Sequence, residues 1–114
     1  MTKDLELVAH WEDIVHEVFA CTSRFPKAMR FVISNRMCNS ALDIMSLLVE
    51  AQYTSARKQI SLLERANMEL TQLRVLLRIS VYEKWMSIGG YEELSRKLDE
   101  AGKRMYAWKQ KKKS

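Results

Sequence analysis

The sequence predicts an all-α protein, an antiparallel up-down-up-down four-helix bundle, on three observations. Apolar residues recur at spacings of 4, 3, 4, 3 in its segments, which puts each set on one face of a helix. Only three Gly and one Pro occur in 114 residues, so turns are few and the elements between them are long. The composition, 47% hydrophobic and 29% charged, suits a folded chain with one modest core.

The first helix carries Leu7, Trp11, Ile14, Val18 and Cys21 on one face, widened by Val8, Val15 and Phe19, with Asp4 and Glu6 favourably placed in its first turn. Thr22 to Lys27 form the first break. Pro26 is tolerated at the first position of a helix and not inside one, so the second helix is expected to begin there. It presents Met37, Ala41, Ile44, Leu48 and Ala51. A second row, Phe31, Cys38, Leu42, Met45 and Val49, lies beside them and implies burial against more than one neighbour.

Tyr53-Thr54-Ser55-Ala56 contains neither Gly nor Pro, yet a turn is placed there because one helix from Pro26 to Met86 would be too long for a globular domain. The third helix carries Ile60, Leu63, Leu70, Leu73, Leu77 and Val81, flanked by Leu76 and Ile79. Ile88-Gly89-Gly90-Tyr91 is read as its stop, with a glycine in a left-handed cap. Leu94, Leu98, Ala101, Met105 and Trp108 then define the fourth helix. The bundle is expected to occupy residues 1–109, followed by a frayed basic tail at 110–114. A long helical hairpin that dimerises is the structural alternative.

Charge is unevenly distributed. Residues 1–57 hold six Lys/Arg and seven Asp/Glu, whereas residues 58–114 hold thirteen and seven. A basic half suits an anionic partner or simple solubility. Cys21 and Cys38 fall in apolar stripes and lack CxxC spacing, which suits core thiols in a reducing compartment. His10 and His16 gather no ligand cluster, so neither a metal nor a cofactor is expected. No run of about 18 apolar residues occurs, so no membrane span is expected. The opening MTKDLELVAHWED is acidic and amphipathic rather than leader-like. A cytoplasmic location follows as an expectation.

No phosphate-binding loop, HExxH, nucleophile elbow or GxGxxG is present. Glu12, Asp13, His16 and Glu17 crowd the first helix but lie off its apolar stripe, which suits a solvated face better than acid–base chemistry. No catalytic residue is assigned. Three basic constellations remain. Arg74 and Arg78 share one face of the third helix within an apolar stretch, and like charges at that spacing need an acidic partner or an anionic ligand, Glu69 and Asp43 being possible internal partners. Arg24, Lys27, Arg30 and Arg36 surround the start of the second helix. Lys103, Arg104, Lys109, Lys111, Lys112 and Lys113 crowd the C-terminus, interleaved with Tyr106 and with Trp108, which also continues the apolar stripe.

The stretch Phe25-Pro26-Lys27-Ala28-Met29-Arg30-Phe31-Val32-Ile33-Ser34-Asn35-Arg36 resembles the opening of the second helix in the accessory variability determinant (Avd) proteins of diversity-generating retroelements. Ala41-Leu42-Asp43, Leu48-Val49-Glu50-Ala51, Leu73-Arg74-Val75-Leu76-Leu77-Arg78, Tyr91-Glu92 and Met105-Tyr106-Ala107-Trp108 resemble later parts of the same pattern, so the likeness runs from about Leu5 to Trp108. One departure is Tyr106-Ala107 where the family often has Gly shortly before the last Trp. The resemblance implies a non-enzymatic four-helix bundle that assembles as a ring-shaped homopentamer. It also implies partnership with a reverse transcriptase and binding to RNA or DNA during mutagenic reverse transcription. On that reading Arg74 and Arg78 lead the nucleic-acid contacts, with Arg30 and Arg36 next and Lys109, Lys111, Lys112 and Lys113 adding a nonspecific phosphate grip. The rival from a different class is a protein–protein adaptor bundle with no nucleic-acid role.

Overall fold

The computed structural model describes the backbone of residues 2–113 and the side chains of residues 6–111. Four helices follow one another: α1 (Thr2–Thr22), α2 (Asn35–Gln52), α3 (Ala56–Tyr82) and α4 (Ile88–Lys113). No strand occurs among the described residues. Each helix packs against its sequence neighbours, and α1 also packs against α4, which closes a bundle about 45 Å long. Paired side-chain contacts show the alternation in direction. Trp11 meets Ala41 and Thr22 meets Cys38; Ser40 meets Glu69 and Gln59 meets Ala51; Arg74 meets Asp99 and Glu64 meets Lys109. The fold is therefore the all-α four-helix bundle that the periodicity predicts.

Core positions follow the stripes closely. Leu7, Trp11, Ile14 and Val18 are buried from α1, with Met37, Ala41, Ile44, Leu48 and Ala51 from α2. Leu63, Leu70, Leu73 and Leu77 come from α3, and Leu94, Leu98, Ala101, Met105 and Trp108 from α4. The Trp11 indole is fully buried and its N–H donates to the Ala41 carbonyl at 2.8 Å, which ties α1 to α2. The second row of α2 is less enclosed than its width suggests. Cys38, Leu42 and Met45 are half-buried, while Phe31 and Val49 are exposed, because the row lies along the outer edge of the α1–α2 contact.

The first connection departs from expectation. Pro26 is the extended residue before the helical run rather than its first residue (φ −55°, ψ 143°). A 3₁₀ turn (Lys27–Met29) and a π turn (Arg30–Ser34) follow, and regular α geometry begins only at Asn35. Only Ser34 in these two turns is fully buried and Ile33 alone packs partly against the core, too little apolar contact to hold them in α register. The segment is fixed at its ends instead. Phe25 is buried against Trp85, with ring centroids 5.8 Å apart, and the Ser34 hydroxyl donates to the Thr22 carbonyl.

The second connection falls where length placed it. Ser55 has N-cap backbone geometry but its hydroxyl caps nothing; the Gln59 amide of α3 reaches back to donate to the Ala51 carbonyl at the end of α2. The third connection corrects the glycine reading. Neither Gly89 nor Gly90 adopts positive φ, and both lie in the first turn of α4, where the Gly90 N–H donates to the Ser87 hydroxyl. The left-handed residue is Lys84, at φ 66°. The Lys84 and Trp85 N–H groups donate to the Val81 and Ser80 carbonyls, a Schellman closure of α3. The turn brings Trp85 back onto Phe25. Lys84→Gly is expected to raise stability by about 1 kcal/mol, since a Cβ is penalised in this conformation. Chemical denaturation followed by circular dichroism measures it, and an unchanged or lower midpoint refutes the assignment.

At the C-terminus α4 continues without a break past residue 109, through Lys113. No helix among the described residues is long and apolar enough to cross a membrane.

Candidate nucleic-acid interface

Arg74 and Arg78 lie one turn apart on α3, yet they differ in surroundings. The Arg74 guanidinium Nη2 sits 3.2 Å from the Asp99 carboxylate of α4. Gly102 leaves room for it, since a Cβ there would come within 2.9 Å of Nη2. Its Nε is buried without a partner. Arg74 is thus committed to the α3–α4 contact. Glu69 instead accepts a hydrogen bond from Ser40. Arg78 is exposed, and among the described residues no carboxylate lies within ion-pair distance of it.

Arg30, in the π turn, and Arg36, in the first turn of α2, are likewise exposed and unpaired among the described residues. Between Glu17 and Asp43 the chain holds no acidic residue but four basic ones, Arg24, Lys27, Arg30 and Arg36. The end of α3 runs beside the start of α2, as the contact between the Ser80 hydroxyl and the Met37 sulfur shows. The antiparallel order therefore gathers Arg30, Arg36 and Arg78 at one end of the bundle, with exposed Lys84 in the adjoining turn.

The C-terminal lysines are at the opposite end. Lys109 pairs with Glu64 of α3 at 3.8 Å and lies 5.6 Å from the Tyr106 ring centroid. Lys111 is exposed, and the side chains of Lys112 and Lys113 lie outside the described residues. Trp108 is buried, so of the two aromatics interleaved with these lysines only Tyr106 presents a ring to solvent.

On α1, Glu12, Asp13 and His16 are exposed, and Glu17 turns away from them toward α4. The Glu17 carboxylate accepts a short hydrogen bond from Lys97, which raises the lysine above its ordinary value. Cys21 and Cys38 are free thiols, and burial pushes the Cys21 thiol up, away from reactivity. Among the described residues no three His, Cys, Asp or Glu side chains are grouped to hold a metal ion.

Sequence reasoning did not foresee Asp99 as the partner of Arg74, since no local spacing links α3 to α4. It also did not foresee an exposed apolar row on α3. Met68, Val75, Ile79 and Tyr82 are spaced 7, 4 and 3, on the side away from Leu70, Leu73 and Leu77. That spacing was available in the sequence as a second stripe.

The family model described as bAvd-like matches residues 5–112 of the chain. No curated protein matches it. The matched residues span α2, α3, the three connections and nearly all of α1 and α4, and include Arg30, Arg36, Arg74, Arg78 and Asp99. The chain belongs to the bAvd-like family.

Proposed function

We propose that this protein is the accessory protein of a diversity-generating retroelement. It binds template RNA or DNA and the reverse transcriptase, acts in the cytoplasm as a homo-oligomer, a pentamer by its resemblance to Avd proteins, and performs no catalysis itself. The observation that carries the reading is the set of exposed arginines Arg30, Arg36 and Arg78, unpaired among the described residues, at one end of a bAvd-like bundle. Helix-borne cations free of internal carboxylates are available to phosphates, and a ring of subunits would multiply weak contacts into a firm hold. The exposed row Met68, Val75, Ile79 and Tyr82 supports protein contacts by the same molecule, with another subunit or with the polymerase.

The test is binding of labelled RNA across a salt series. Wild type is expected to bind at low salt and to weaken steeply as salt rises, in proportion to the phosphates neutralised. Arg78→Ala is expected to flatten the salt slope by roughly 0.7–0.9, the value of one phosphate contact. Arg74→Ala is expected to flatten it less, because that guanidinium is already paired with Asp99. Absence of wild-type binding even at low salt refutes the nucleic-acid reading and leaves the adaptor bundle in its place.

A further inference from the structure

We propose that Phe31, displayed on the π turn between Arg30 and Arg36, is a base-stacking residue that makes this end of the bundle a single-strand binding platform. The proposal rests on the nucleic-acid reading above and specifies its ligand as unpaired strand rather than duplex. Phe31 is 82% exposed and Val32 62%, although the segment that carries them is buried at either end, at Phe25 and Ser34. The anchors on either side are the Phe25–Trp85 contact and the Ser34–Thr22 hydrogen bond. The turn is therefore held in place while its aromatic ring faces outward without a ring partner among the described residues.

Cations stand close to Phe31 along the chain. Lys27 lies four residues before Phe31 and Arg36 five after, one 3₁₀-to-π turn and one π turn away, with Arg30 adjacent. All three are exposed, and among the described residues none has a carboxylate within ion-pair distance. An exposed aromatic ring on a turn that also carries exposed cations matches a nucleotide: the base stacks and the neighbouring phosphates are neutralised. A paired base offers its face only to its own stack, so the match is to a single strand. A membrane surface fits less well. Two exposed apolar residues in a five-residue turn are far short of the broad apolar face that an interfacial helix buries. Duplex binding by Arg30, Arg36 and Arg78 needs no aromatic residue, so Phe31 separates the two modes.

The experiment compares a uridine single strand of about 12 nucleotides with an RNA duplex of the same length, a size in the range one such site covers. Phe31→Ala is expected to weaken single-strand binding about tenfold and to leave duplex binding unchanged, as loss of one stacked base predicts. Phe31→Trp is expected to keep single-strand affinity, with its added exposed fluorophore quenched by the strand and not by the duplex. Equal affinity of Phe31→Ala and wild type for the single strand, with no quenching in Phe31→Trp, overturns the platform while leaving phosphate binding by the arginines standing. Failure of wild type to bind either RNA overturns both readings. Phe31-dependent binding to phosphatidylserine vesicles, with RNA binding indifferent to Phe31, also overturns it and reassigns the turn to a membrane surface.

Discussion

Trp11→Ala is expected to remove a large part of the stability of the bundle, about 3–5 kcal/mol, the usual cost of deleting a buried Trp side chain. The indole is fully buried at the centre of the α1 stripe, and its N–H bond to the Ala41 carbonyl is a direct polar tie between α1 and α2. Truncation leaves a cavity that neither helix can collapse into without breaking its own register, and it deletes that tie. Against a total stability of about 5–15 kcal/mol for a natural protein, the change is decisive. Urea denaturation at fixed protein concentration measures it. Trp11→Phe helps to separate the two parts, because it keeps an aromatic ring and most of the volume while losing the N–H. A loss below about 1 kcal/mol for Trp11→Ala would refute the idea that this indole organises the α1–α2 contact.

Reversing charge at the arginine-bearing end is expected to have the largest effect on nucleic-acid binding. The triple variant Arg30→Glu, Arg36→Glu, Arg78→Glu exchanges three free cations for anions on fixed helical positions. It should lower RNA affinity by about 100-fold or more near physiological salt and flatten the salt slope by roughly two to three units. All three side chains are exposed, so the circular dichroism spectrum should not change. The matched control is Lys111→Glu, Lys112→Glu, Lys113→Glu at the opposite end. Equal net charge in the two variants removes any effect of overall electrostatics and leaves position alone. If the tail variant loses affinity and the arginine variant does not, the interface lies at the C-terminal end of α4.

These contrasts follow from how the bundle sorts residues that look alike in the sequence. Arg74 and Arg78 form a symmetrical pair on paper, yet Asp99 holds one and leaves the other free. Arg30, Arg36 and Arg78 are up to 48 positions apart and share an end, whereas Lys109 sits beside Glu64, about 20 Å along α3 from Arg78. The glycine pair looked like the obvious left-handed stop, but the chain turns at Lys84, a residue type that carries no turn signal. The packing of Trp85 onto Phe25 outweighs that local preference.

By itself the sequence determined the number of helices, the buried face of each and the family. Those depend on apolar periodicity and on the order of segments, both of which are written along the chain. The tertiary structure alone decided which cations remain free, where the left-handed turn sits, and that Phe31 faces outward on a π turn. Each of these depends on which distant residue a side chain meets once the helices are packed. Local spacing carries no information about a contact such as that of Arg74 with Asp99 or Phe25 with Trp85.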